Sequence, residues 1–446
     1  MKRNASNISC VLAVLAGFVL TSAGAQDMTM MRQYLQSYDS IQFFRPYDKN
    51  GINMFETPKD NVSFDGVRVR LGAGFTQQFQ NLKHSNYEKT GGKSNSLYPL
   101  SSGFNTAMAN LNMDFQLADG IRLNLVTYLS SRHHNEAWVK GGYIQFDKLP
   151  YKGAFWTNLM KYTTIKVGHM EINYGDAHFR RSDGGSTLYN PFMENYLLDA
   201  FTTEIGGEVY LQHNGLFGMV GMTNGEIKGD VKEGTAEKNP AFYLKGGIDK
   251  RLTDKARVRV SGSFYTDRSS ASNTVFWGDR TGSNYFLVME KESATALAQA
   301  WSGRINPGFG RKVQAMQVNG FVKYGGLEFF GTYEQGKGRS AHSLDNKDRT
   351  LNQWAGDLVY RIGPKEDAYV GARYNTLSGQ LFLNNVADDV KIDRLALAGG
   401  WFVTRNVLLK GEYVVQNYRD FPTGTGATQF TDGRFNGWVI EAVVGF

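Results

Sequence analysis

Cysteine is almost absent. The only one in 446 residues is Cys10, so a disulfide-stapled scaffold is excluded. Proline is scarce, at 9 residues. Apart from the opening stretch, no apolar run approaches the roughly 20 residues a membrane helix requires. Mean hydropathy is −0.39, and a helical membrane protein is excluded with it. Neither charge sign dominates locally. The formal net charge is +7, but lysines and arginines are dispersed, leaving no basic tail of the kind that binds nucleic acid. The G-x-S-x-G nucleophile elbow is missing. The histidines show no zinc-type spacing: His133–His134 are adjacent, and His169 and His178 flank Glu171 and Asp176. No enzyme activity, metal or cofactor is therefore expected.

What is present begins with Lys2 and Arg3, followed by the apolar run Cys10–Leu20 and small residues at Ala23 and Ala25. This order of basic, apolar and A-x-A segments predicts a secretory signal peptide over 1–25, cleaved to leave Gln26 first. The mature chain then has no cysteine. Glycine (51) and aromatics (13%) are abundant, a composition that suits turns and membrane-interface belts.

The dominant signal downstream is a period of two. In "VRVRLGAGF" (Val67–Phe75), Val67, Val69, Leu71, Ala73 and Phe75 share a face opposite Arg68, Arg70, Gly72 and Gly74. "AMANLNMDF", "IRLNLVTYL" and "RVRVSGSF" repeat it, and "RFNGWVIEAVVGF" (Arg434–Phe446) closes the chain with Trp438, Ile440, Ala442, Val444 and Phe446 on one side. Alternation over about ten residues marks two-faced strands. Sixteen such strands are expected, at 64–80, 104–118, 121–131, 137–147, 162–172, 203–213, 216–226, 241–251, 257–267, 312–323, 326–336, 352–361, 368–376, 391–402, 405–418 and 434–446. Tight connectors such as "ADG", "HNG" and "GG" alternate with long polar links. One link, 147–162, is long where a short turn belongs.

An even number of short amphipathic strands, with long loops at one end and turns at the other, describes an outer-membrane β-barrel. Backbone in hydrocarbon must be fully paired, so such strands survive only in a closed cylinder. The expected organisation is a signal peptide (1–25), a periplasmic N-terminal extension (26–63) and an all-β, sixteen-stranded antiparallel transmembrane barrel (64–446) in the bacterial outer membrane. Trp354, Tyr360, Tyr374, Trp401, Phe402, Tyr413, Trp438 and Phe446 fit the aromatic girdles.

With these features the sequence resembles a sixteen-stranded porin. "KVGHMEINYGDAHFRRSDGG" also resembles, loosely, the phosphate-selective porin O/P superfamily. The resemblance implies that the third long loop (173–202) folds into the lumen and sets the constriction, which nominates Arg180, Arg181, Asp183 and Glu194. It also implies that Phe446, ending an amphipathic strand, is read by the barrel-assembly machinery, and it leaves a homotrimer open as the assembled state. Outer-membrane lipid and lipopolysaccharide would surround the wall, and small hydrophilic or anionic solutes would cross it.

Placing each polar face inside assigns Arg68, Arg70, Arg122, Lys166, Lys245, Arg257, Arg259, Lys323, Arg361, Arg373, Arg394 and Lys410 to the lumen. Fewer carboxylates join them, among them Glu204, Glu208, Asp249, Glu328 and Glu441. The excess of cations favours a mild anion preference. Arg180 and Arg181 have two readings: a guanidinium fork for phosphate or carboxylate solutes, or pins pairing with Asp176, Asp183, Glu194, Glu204 or Glu208. A second functional class also stands, a structural or assembly barrel anchoring a surface or secretion complex with its lumen plugged. The long link 269–311, with its apolar "YFLVM" (Tyr285–Met289), keeps it open as a hairpin, a lid or a partner site.

Overall fold

A computed structural model describes residues 41–446 except 58, 60–61, 88–95, 133–136, 152, 183–186, 229–237, 278–283, 342–344, 383–388 and 424–427. The expected signal peptide, His133–His134 and Asp183 lie outside the described residues.

Sixteen long strands form one antiparallel sheet closed on itself: β1 (Arg68–Ser85), β2 (Met108–Ala118), β3 (Ile121–Ser130), β4 (Trp138–Phe146), β5 (Thr163–Glu171), β6 (Thr203–His213), β7 (Leu216–Thr223), β8 (Ala241–Arg251), β9 (Ala256–Asp267), β10 (Lys312–Tyr324), β11 (Leu327–Arg339), β12 (Arg349–Ile362), β13 (Ala368–Gln380), β14 (Asp389–Thr404), β15 (Val407–Arg419) and β16 (Arg434–Gly445). Each pairs with its sequence neighbour, and β16 closes on β1 from Gly74↔Gly445 to Ser85↔Arg434. A three-residue strand, Gly103–Asn105, also lies against β1. β1 runs beyond its expected end because β16 pairs it as far as Ser85. The irregular link 147–162 contains a short helix, α1 (Ala154–Met160).

Alternation decides the faces. Val260 is 49% exposed and Ser261 2%; Leu397 is 51% exposed and Arg394 1%. The outer face is thus an apolar surface with no water-soluble partner to cover it, and the barrel is a bacterial outer-membrane fold. Trp354, Tyr360, Tyr374, Trp401, Tyr413, Trp438 and Phe446 are all exposed on it. Phe402 is a correction. As the neighbour of outward-facing Trp401 it must point inward, and it is buried in a lumenal cluster with Val359, Tyr369 and Leu408.

The interior is not empty. The third loop (172–202) enters it, starting at Gly175, whose φ of +71° is left-handed and whose Cβ, if present, would collide with Gln317. The described part of the link 268–311 folds inward as a lid over the end carrying the long loops. Tyr285, Val288, Met289, Ile305 and Phe309 are buried there against inward wall residues such as Val313, Leu351, Ile392 and Val414. The lid is stitched to the third loop by Ile305 N donating to Leu197 O (2.9 Å) and Phe201 N to Val275 O (2.9 Å).

The sequence reading of 26–63 is a periplasmic N-terminal extension. Its described part lies beside the tight turns, inside the mouth of the barrel. Gln42 N donates to Gln116 (3.0 Å), Tyr47 OH to Asp114 (2.8 Å) and Lys49 N to Arg405 O (2.9 Å). Tyr47 packs so closely on β1 that a side chain in place of Gly72 would strike its ring. The cause is composition: Phe43 and Phe55 are apolar groups that become buried, and the cylinder offers the nearest surface to bury them against.

The face assignment predicts that Val260→Arg or Leu397→Arg weakens barrel assembly by about 2–4 kcal/mol near the bilayer midplane. Urea titration of refolded protein in vesicles checks this; wild-type stability in both variants would overturn the assigned faces.

Candidate constriction of the lumen

Asp176, at the start of the third loop, is held by Arg259 through both carboxylate oxygens (2.7 and 2.8 Å), by Lys245 (2.7 Å) and by the Ser261 hydroxyl (2.7 Å). Glu56, from the N-terminal segment, reaches the same two cations at 2.7 and 3.1 Å. Two wall cations therefore clamp one carboxylate from each inserted segment, all four buried. Burial alone would push the Asp176 and Glu56 carboxyls up, but Lys245 and Arg259 outweigh it and hold both below the ordinary range. The clamp rests on geometry: β8 and β9 place Lys245 opposite Ser263, two positions along from Ser261.

Arg180 and Arg181 are both buried and committed. Arg180 donates to Asn53 of the N-terminal segment, lies 3.9 Å from Glu328 and stacks on Phe330 (5.1 Å). Arg181 pairs with Asp199 and lies over the Phe201 ring (3.8 Å). Glu194 sits 3.6 Å from Arg304 of the lid, and burial keeps its carboxyl above the usual range. These three bind the inserted segments to one another and to the wall.

The wall residues behave alike. Arg361 binds Glu328 (2.7 Å), Arg373 binds Asp357 (2.6 and 2.7 Å) and the Glu194 carbonyl (2.6 Å), and Arg394 binds the Asn195 carbonyl (2.7 Å). Lys410 reaches Glu441 (2.9 Å) and the Phe192 carbonyl (3.0 Å). Glu208 accepts from Asn173 N (2.8 Å) and Tyr243 OH (3.0 Å). Arg70 lies over Phe44 (4.1 Å), Arg257 binds Asp249 (2.6 and 2.8 Å), and Arg68 pairs with Asp65 at the mouth. All point inward, as alternation requires. They face a packed interior rather than an open aqueous bore.

Open space remains along one side. A cavity of about 240 Å³ lies between β3–β6 and the inserted segments, lined by Arg45, Tyr47, Phe55, Glu56, Arg122, Lys140, Tyr143, Lys166, Glu171, His178 and Tyr210 among others. A second, about 490 Å³, opens toward the tight-turn end beside Lys59, Tyr162, Phe217, Arg257 and Arg259. Phe55, Glu56 and Gln212 line both. Of the predicted residues, Lys166 and Arg122, the latter bound to Asp114 (3.1 Å) and Gln145 (2.9 Å), face the first cavity, and Arg257 and Arg259 face the second. Sequence reasoning passed over Lys140, Tyr143, Tyr210 and Arg45. Tyr143 and Tyr210 share the parity of the inward Gln145 and Glu208, but Lys140 sits at the register shift between β3 and β4 that breaks the alternation; Arg45 gave no signal beyond its aromatic neighbours. His178 does meet Glu171 (2.6 Å) and Asn173 (2.8 Å), while His169 turns to Thr203 (3.0 Å). Among the described residues no group of three ligands converges on a metal position.

No protein-family model matches the chain, and no curated protein matches it by sequence. Solved structures do match the fold. An anion-selective porin from Comamonas acidovorans aligns with 85% of this chain and 100% of its own at a TM-score of 0.53 and 10% identity. The outer membrane channel DcaP of Acinetobacter baumannii aligns over 86% and 99% (TM-score 0.50, 10% identity), and Salmonella typhi OmpF, in a complex with daunomycin, over 86% and 98% (TM-score 0.50, 9% identity). The architecture is thus the closed sixteen-stranded barrel of outer-membrane porins.

Depressed carboxyls contribute stability that is complete above their ordinary range and lost only as pH falls beneath it. Moving from about pH 7 to about pH 4 should leave the third loop seated and single-channel noise unchanged. Asp176→Asn at neutral pH removes one partner of a buried cluster, at a cost of about 3–5 kcal/mol. It should give noisier, larger openings in planar bilayers. Unchanged traces for Asp176→Asn would show that the clamp does not hold the loop.

Proposed function

We propose that the protein is an outer-membrane diffusion channel with a narrowed, off-centre passage for small hydrophilic solutes and a mild preference for anions. The observation that carries this reading is the pair of cavities that share Phe55, Glu56 and Gln212 in their linings. The charged lining of the inner one is Arg45, Arg122, Lys140 and Lys166 against Glu56 and Glu171. Glu171 is further engaged by His178 (2.6 Å). Cations in excess at a constriction favour anion passage, and Tyr143 and Tyr210 offer aromatic faces beside Lys166 (5.4 and 4.8 Å). That one porin of this fold is described as anion-selective agrees with the reading.

The packed interior favours a second reading, a plugged barrel that anchors a surface or secretion complex. Two inserted segments and an apolar lid exceed what a permeation constriction alone requires.

Reversal potentials in planar bilayers distinguish the two. Wild type should conduct with a modest anion preference. Lys140→Ala with Lys166→Ala should shift selectivity toward cations, most strongly at low salt, where screening is weakest. Measurable conductance with unaltered selectivity would remove these lysines from the path, and no conductance at all would favour the plugged barrel.

A further inference from the structure

The outer wall carries a concentration of charge that neither passage nor closure uses. At the long-loop end of β9–β11, Lys312 and Arg339 stand directly opposite each other across the β10–β11 ladder. Like charges in that position are destabilising unless an anion lies between them. Asp348 supplies one, at 2.7 Å from Lys312 and 2.8 Å from Arg339. Lys337, exposed on the same outward face, pairs in register with Gln314 and Thr350. Arg268, also exposed, follows Asp267, whose register partner is Val313, and so extends the row beside Lys312. Among the described residues Asp348 is the carboxylate that meets this row, and it pairs with Lys312 and Arg339. The nearby Asp345 is engaged elsewhere, with Arg349 (2.8 Å).

Their height on the wall is as telling as their number. On the same strands and face, Phe264, Met316 and Val318 are exposed apolar residues, as is Trp354 on the adjoining β12, and Tyr333 packs on Trp354 at 4.5 Å. From Met316 to Lys312 is four residues, roughly 13 Å along a strand. That separation takes a side chain from the acyl region into the headgroup layer. Lysine and arginine stems can lie along the apolar belt while their charges reach upward. The comparable rim at β14–β16 is balanced: Lys391 and Arg419 flank Asp393 (3.8 and 3.2 Å), with exposed Asp389 and Asp432 close by.

We infer that Arg268, Lys312, Lys337 and Arg339 form a docking site for the phosphorylated glycolipid headgroup of an outer-leaflet, lipid A-type molecule, whose acyl chains lie over the apolar belt of β9–β11. The guanidinium and ammonium groups supply charge-assisted bonds to phosphate, and the belt selects a lipid over a free anion. The inference rests on the outer-membrane reading but not on whether solute crosses the lumen.

Native mass spectrometry of the detergent-solubilised full chain, titrated with bisphosphorylated lipid A and with its dephosphorylated counterpart, tests it. Wild type should prefer the phosphorylated lipid by roughly tenfold or more. Arg268→Gln/Lys312→Gln/Lys337→Gln/Arg339→Gln should abolish that preference, whereas Lys250→Gln/Lys255→Gln at the opposite end should keep it. Heat-modifiable migration checks that each variant is folded. If the quadruple variant does not assemble, Lys337→Gln alone, which breaks no ion pair with Asp348, should still lower the preference. Equal binding of both lipids by wild type, an unchanged preference in the variants, or displacement of lipid A by inorganic phosphate at similar concentration would each overturn the proposal. Conductance is read separately, so loss of lipid preference with intact conductance refutes this site and not the channel.

Discussion

Everything in this protein follows from the requirement that no backbone amide be left unpaired in hydrocarbon. The pairing of β16 with β1 meets it by removing the sheet's edges. Once the cylinder closes, the pleat divides each strand between lipid and lumen, and the second face must be given something to contact. Most porin-like barrels leave much of that space to water. Here protein fills much of it, and the lumenal charges are consumed in holding protein to protein.

That filling explains why so many inward arginines are neutralised. Arg361, Arg373 and Arg259 each meet a carboxylate within 2.7 Å, and Arg394 and Lys410 satisfy the carbonyls of Asn195 and Phe192, in a stretch of the loop that forms neither helix nor strand. A loop buried without partners would carry a prohibitive cost. The wall charges supply those partners, and only a few of them border the remaining cavities. The lid shows the same economy: Tyr285, Leu287 and Met289 all adopt positive φ, a strained backbone tolerated because their side chains are buried against the wall.

The strands were legible because lipid imposes period two with little interference. The stretch at 241–251 coincides with β8 and that at 203–213 with β6. Phe402 was misread because an aromatic doublet hides parity, and only strand register separates it from Trp401. An inward third loop was expected through resemblance, yet Asp176 was named as a partner for Arg180 and Arg181 and as a neighbour of the histidines, never as an anchor. The N-terminal segment was least legible. Its decisive contact joins Glu56 to Lys245 and Arg259, across a sequence separation that no local pattern encodes. A signal was present in Phe43, Phe44 and Phe55, aromatics without periodicity in a stretch read as a periplasmic extension.

The central claim is that the N-terminal segment narrows a passage that would otherwise be wider. Single-channel conductance of the refolded chain with residues 41–57 removed, set against the full mature chain, tests it most directly. The account requires a small conductance in the intact protein and a several-fold larger one in the truncated barrel, with heat-modifiable folding retained in both. Equal conductance in the two proteins would contradict it.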